Sequence, residues 1–295
     1  MNKYHIINKK TESLFINIKR FWTVFFGRKI VLFGTIIILL LITMAIMAPM
    51  LAPYDPNALD LKQTLAQSSS EHFLGTDPLG RDLLSRIIYG ARISLAVGLL
   101  SVGFAALIGI SLGLIAGYFG GVLYIIIMRF VDALMSFPPL LTALLIAVVL
   151  GGGFMNVVVA LGISFTPLYV RLMAGQVLTV KETDFITAQQ VIGAGNLRIM
   201  LKHIFPNCVP PLIVSITIML GIAILVEASL SFLNIGITPP TPTWGGMVAD
   251  GFKYVLTNPI ISFMPGFAIM LTVLAFNIVG DGLRDALDPR LRGTL

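Results

Sequence analysis

Two stretches of this chain exclude every charged side chain over lengths that no soluble fold needs. From Ala133 to Val170, and again from His203 to Val226, there is no Asp, Glu, Lys or Arg. A helix rises 1.5 Å per residue, so about 20 apolar residues cross the roughly 30 Å of hydrocarbon in a bilayer. Such runs select membrane-spanning helices, because in lipid each backbone polar group must find its partner within its own segment. Composition agrees. Of 295 residues 57% are hydrophobic and 12% charged, about half the charge of a soluble domain, and mean hydropathy is +0.94. The net charge of +6 sits at the ends and in loops, which reads as topology rather than nucleic-acid affinity.

The expected fold is all-α and polytopic, with six transmembrane helices and both termini cytoplasmic. Residues 1–29 form a basic tail, Lys3 to Lys29, placed inside by its positive charge. Within it Leu14, Phe15, Ile18, Phe21, Trp22 and Phe25 recur at helical spacing and predict a short interfacial helix. Residues 30–52 are the first span, too long for a signal-peptide core and so read as a retained anchor. Residues 53–90 are polar without a basic excess and are expected outside. There Gly75 to Gly80 forms a turn, with Asp77 predicted to cap the next helix and Pro78 at its first position.

Residues 91–283 are the five-helix core, and 284–295 a second inner tail with Arg284, Arg290 and Arg292. The second span covers about Ile93 to Ala116, where Gly109, Gly113 and Gly117 follow Ala105 every four residues and predict close helix packing within the bundle. The third runs from Leu123 to Leu150 with a break at Pro138-Pro139, and Gly151 to Gly153 make the outer turn. The fourth covers Val157 to Ala174, the fifth Pro211 to Phe232 and the sixth Ile261 to Val279, with an outer loop over Asn234 to Pro259.

Between the fourth and fifth spans lies a polar, helix-capable island within 181–206 that runs on to Asn207, KETDFITAQQVIGAGNLRIMLKHIFPN. Thr183 or Asp184 is placed to cap a short helix through about Ile192, Gly193 to Asn196 to break it, and Leu197 to Ile204 to form a second helical stretch. The segment is long for a plain connection. Ala188 and Gly193 are small where a partner surface could press close, so the island reads as a handle for a cytoplasmic partner.

The chemistry of the chain points to the same dependence. There is no Gly-x-x-x-x-Gly-Lys-Ser/Thr loop for ATP, no nucleophile elbow and no His-Glu-x-x-His motif. One cysteine, Cys208, makes no internal disulfide, and no Cys/His metal cluster is written in the sequence. Ionisable groups inside spans are few. Arg129 and Asp132 sit one turn apart and are expected to pair with each other. Glu227 is expected near the outer interface, as an outer gate or a structural hydrogen bond. A carrier powered by its own proton relay is therefore disfavoured, and the energy is expected from a partner.

The island resembles the coupling loop of ABC importer permeases, Glu-Ala-Ala, three residues, Gly, nine residues, Ile-x-Leu-Pro. Ala188, Gly193 and Pro206 match; Thr187, Gln189, His203 and Phe205 replace the Glu, second Ala, Ile and Leu. Four further stretches, Phe73 to Asp82, Glu227 to Leu233, Trp244-Gly245 and Asp288 to Arg292, are similar to the C-type permease subunit of dipeptide, oligopeptide and nickel importers. The sequence departs at Asn234, where Gly is usual, and at Gly175, where a second Arg after Arg171 is common. The resemblance implies a bacterial cell-membrane permease, not itself an enzyme and binding no cofactor. Its implied partners are a second similar permease, two cytoplasmic ATPase subunits carrying ATP and Mg, an extracytoplasmic binding protein and membrane lipid, with no nucleic acid. The coupling residues would be Asp184, Phe185, Thr187, Ala188, Gln189, Gly193, Ala194, His203 and Pro206. The outer gate or substrate path would involve Glu227, Ser231, Asn234 and Trp244. The cargo would be di- or oligopeptides, with nickel, a metallophore complex or glutathione as alternatives. A self-contained proton-coupled carrier and a structural scaffold are the readings from other classes.

Overall fold

The computed structural model describes residues 21–287. Leu14, Phe15, Ile18 and the Asp288 to Arg292 motif lie outside the described residues; residues 21–27 are helical and carry an aromatic cluster of Phe21, Trp22, Phe25 and Phe26. The main helices are α1 (Lys29–Ile46), α2 (Leu83–Phe119), α3 (Gly121–Met135), α4 (Pro139–Leu150), α5 (Phe154–Lys181), α6 (Asp184–Val191), α7 (Asn196–Phe232), α8 (Trp244–Phe252) and α9 (Ile260–Leu287). Five of them, α1, α2, α5, α7 and α9, are long and apolar enough to cross a membrane. A sixth crossing is available to α3 and α4, which meet at 88°. The bend follows from Pro138-Pro139: a residue preceding proline avoids the α conformation, and Pro138 is extended at ψ 139°.

The centre of the bundle is the crossing of α2 and α5. At Gly109 a Cβ would lie 2.5 Å from Cβ of Tyr169, at Gly113 2.5 Å from the Val170 carbonyl oxygen, and at Gly117 2.8 Å from Cβ of Val177. Only bare backbone fits there, so the four-residue glycine stripe sets the distance between these helices. Val97, Val102, Leu161 and Phe165 pack beside it with Met219 and Ala223 of α7. A second cluster joins α1, α8 and α9 to this core through Ala45, Ala91, Ile224, Trp244 and Ile269.

Several boundaries differ from expectation. α2 starts at Leu83, and its cap is Asp82, whose carboxylate accepts from Ser85 N at 2.8 Å. Asp77 instead closes the preceding turn, accepting from the backbone N–H of Leu79 and Arg81 and from Arg81 Nε at 2.5 Å. Buried beside it, Arg86 Nη1 donates to the Pro56 carbonyl, and His72 Nδ1 lies 2.9 Å from Asp82. The segment between α1 and α2 is thus a fixed polar knot. The loop expected over 234–259 contains α8, capped by the Thr243 hydroxyl, which accepts from Gly246 N. Most consequentially, α7 is one helix of 37 residues that runs through Pro206, Pro210 and Pro211. Proline cannot donate, and the ladder adapts with a π-helical turn over Ile199–Ile204, in which Phe205 N reaches back to Met200 O.

Candidate functional site

The polar island sits at one end of the bundle as a helical hook. α5 ends at Lys181, whose ammonium donates to the Tyr118 carbonyl at 2.7 Å and lies 5.6 Å from the centre of the Tyr118 ring. The Tyr118 hydroxyl donates to Asn196 Oδ1 at 2.9 Å. The end of α2 therefore holds both the entry to the island and its exit. Between those two ties α6 is anchored by one side chain, Ile186, buried among Met173, Val177, Ile199 and Ile204. Burying such a side chain contributes roughly 1.5–3 kcal/mol, enough to seat a two-turn helix that would not be stable alone.

No side chain caps α6: the Thr183 hydroxyl donates to the Val180 carbonyl and Asp184 makes no cap bond, so both expected caps fail. The start is held by backbone, with Ile186 N donating to Thr183 O. Gly193 ends the helix at φ +79°, and nothing lies within 4 Å of where its Cβ would be. Conformation rather than space demands glycine there. Gly193 N donates to Gln190 O and Ala194 N to Gln189 O, closing the turn.

The outer side of the hook is apolar where a solvated loop should be polar. Phe185, Val191, Ile192 and Leu197 are 45, 81, 72 and 69% exposed. Thr187 and Ala188 lie exposed among them, Gln189 is half-buried and Pro206 is exposed just after the π-turn within α7. Of this surface, sequence reading singled out Phe185 but not Val191, Ile192 or Leu197. The signal was present, as large apolar residues inside an otherwise polar island. Large apolar side chains left this exposed in so short a segment are unusual for a surface that stays in water. His203 is set apart from it: its Nε2 is buried and has no hydrogen-bond partner.

The other candidates separate. Glu227 is fully buried between α2 and α7, accepting from Ser231 Oγ at 2.8 Å and Ser94 Oγ at 3.4 Å. Trp244 is also fully buried, its Nε1 donating to the Ile87 carbonyl at 3.0 Å and its ring set against Gly90. Neither lines an open path in this conformation; both hold helices together. Ser231 and Asn234 do face a small polar cavity, of about 100 Å³, shared with Arg86, Thr243 and Asp250. Asn234 lies at φ +60° just after α7, a left-handed position that favours glycine and tolerates asparagine best among the rest. The expected Arg129–Asp132 pair does not form. Asp132 pairs across to α5, its Oδ1 2.5 Å from Arg171 Nη2, because the neighbouring helix brings a cation closer than the helix's own preceding turn does.

A hook with an apolar outer face at one end of a membrane bundle is the geometry on which comparison with known proteins bears. Residues 109–293 match the model of the binding-protein-dependent transport system inner membrane component. The chain belongs to that family. Residues 17–70 match the N-terminal transmembrane domain of oligopeptide transport permease C. A di/tripeptide transport system permease protein, DppC, of Pseudomonas aeruginosa is 44% identical over 93% of both chains. A glutathione transport system permease protein, GsiD, of Pectobacterium atrosepticum is 42% identical over 93% of this chain and 91% of that one. A dipeptide permease protein, DppC, of Alkalihalophilus pseudofirmus is 42% identical over 90% and 87%. The fold is that of an ABC importer permease: the MetNI methionine ABC transporter, in an inward-facing conformation, aligns at TM-score 0.55 and 19% identity, covering 70% of this chain and 98% of that chain. As a transport system inner membrane component, the chain is a multi-pass membrane protein.

Proposed function

We propose that this chain is a transmembrane permease subunit of an ATP-driven importer, forming half of the path by which di- and oligopeptides enter the cell. The peptide assignment is supported by relatives named for di/tripeptide and dipeptide transport at 44 and 42% identity across nearly the whole chain. The glutathione-transport relative fits the same reading, since glutathione is itself a tripeptide. The observation that carries the mechanism is the apolar outer face of α6 and the following turn. On this reading both termini and α6 face the cytoplasm, and one of two ATPase subunits, holding ATP and Mg, grips α6 in a cleft. A second, similar permease completes the bundle, and a binding protein delivers peptide from outside. The chain itself catalyses no reaction.

The ties of the island say how a push would travel. α6 is fixed to α2 through Lys181 and Tyr118, and to α7 through Ile186 against Ile199 and Ile204. Movement of α6 would therefore be passed to the two long helices that flank α5, as a rigid displacement rather than a local melting. A partner that binds one orientation of α6 better than the other shifts the bundle between two states by that difference in affinity. The test is Gly193→Val in the complete importer. At φ +79° a β-branched residue is strained by about 1–2 kcal/mol, and the turn should reorganise. Membrane insertion should be unchanged while peptide uptake falls at least tenfold and ATP hydrolysis no longer responds to loaded binding protein. Normal uptake would refute the role of the hook.

A further inference from the structure

The ion pair between α3 and α5 is unusual in a chain whose spans carry few ionisable groups. Arg171 lies about 25 Å along α5 from Phe154 and about 15 Å from Lys181, at 1.5 Å per residue. α5 is 28 residues long, so about 42 Å against the roughly 30 Å of hydrocarbon. Centred in the bilayer, it sets Arg171 about 10 Å inside the apolar layer. The guanidinium does not escape along its own helix toward the interface; it reaches sideways to Asp132. Yet the pair is not enclosed, its two side chains being 54 and 51% exposed. Arg129, one turn before Asp132, is exposed as well and makes no ion pair among the described residues. Three charges at this depth cannot face lipid tails, so water or protein covers them.

An open groove adjoins the pair on the same helices. Leu134, Met135, Phe137, Pro138 and Pro139, at the 88° bend, and Ser164, Phe165 and Leu168 of α5 line a cavity of about 380 Å³. Leu134 follows Asp132 by two residues, and Leu168 precedes Arg171 by three. The ion pair thus ties together two of the groove's walls, α3 and α5, one turn beyond it, while Met219, Ile222 and Val226 of α7 form a third. Two cations and one anion leave one positive charge in excess. A free peptide carries a terminal carboxylate at one end and an ammonium at the other; its carboxylate matches the excess positive charge and its apolar side chains match the groove. Building on the peptide-importer reading, we propose that Arg129, Asp132 and Arg171 form a water-accessible station for the cargo's carboxylate on the wall of the path. The carboxylate takes Arg129, and exchanges with Asp132 for Arg171, as the peptide passes the bend.

The test needs no cargo recognition by a binding protein. In the complete importer with Cys208→Ala, Leu168→Cys is modified with an anionic and a cationic methanethiosulfonate of similar size. The anionic reagent should react severalfold faster. Arg129→Gln, which breaks no ion pair, should remove most of that preference. The charge-swapped double variant Asp132→Arg with Arg171→Asp should keep it, since the net charge is the same. Equal rates for both reagents, or a preference untouched by Arg129→Gln, would overturn the station. No modification by either would overturn it too, placing the groove against lipid or a second permease. Failure of the peptide reading itself is separable, because it would abolish peptide uptake by the unmodified importer whatever the reagents do.

Discussion

The glycine stripe of α2 yields a quantitative contrast between two alanine substitutions in one helix. At Gly113 a Cβ would sit 2.5 Å from the Val170 carbonyl oxygen and 2.7 Å from Cβ of Met173. Ordinary contact at 3.4–4 Å is regained only if α2 and α5 part by about 1 Å, since both neighbours belong to backbone or to its first side-chain atom. A gap of that size forfeits up to half of each contact's roughly 0.1–0.2 kcal/mol. Over about 30 atom pairs around the site the loss is about 2 kcal/mol, within the usual range for overpacking. Alanine recovers about 1 kcal/mol of helix propensity over glycine, so Gly113→Ala should be destabilising by about 1 kcal/mol. At Gly103 nothing lies within 4 Å, and Gly103→Ala should stabilise by about 1 kcal/mol. The 2 kcal/mol separation corresponds to about 3 °C in a chain of this size. Thermal midpoints of the purified importer in detergent, followed by fluorescence-detected size exclusion, measure it. Coincident midpoints, or a more stable Gly113→Ala, would refute the stripe as the determinant of the α2–α5 distance.

Substitutions at two further positions test the end of α7 that leads to α8. Asn234→Gly should leave stability unchanged or raise it slightly, whereas Asn234→Val should be destabilising by about 1–2 kcal/mol at its φ of +60°; the same thermal assay reads both, and equal midpoints would sink the left-handed assignment. Glu227→Leu removes the acceptor of the Ser231 and Ser94 hydroxyls in a closed site and should cost about 1–3 kcal/mol per stranded group. Glu227→Gln keeps an acceptor and should cost distinctly less; equal losses would mean that packing, not hydrogen bonding, holds the position.

How much of this was legible in the sequence depended on whether the determinant was local. The glycine stripe was visible because its four-residue period is a property of one helix. The bend at Pro138-Pro139 was visible because proline acts on its immediate neighbour. The fifth span was expected to begin only at about Pro211, and nothing local announces the π-turn over Ile199–Ile204 by which it is continuous with the island's second helical stretch. Asp77 and Asp82 are both plausible caps beside one turn, and only the chain geometry picks Asp82. Asp132 found its partner 39 residues away, where sequence offered a nearer one at Arg129. In the island, the matching positions Ala188, Gly193 and Pro206 were legible. The apolar surface of Val191, Ile192 and Leu197, and the ties from Lys181 and Tyr118, needed the fold.

The most direct test of the central claim is peptide uptake into liposomes carrying either the purified chain alone or the complete importer with its ATPases, second permease and binding protein. The expected result is ATP-dependent accumulation of a labelled dipeptide in the complete vesicles and none with the single chain. Accumulation by the single chain, driven by a proton gradient and indifferent to ATP, would contradict it.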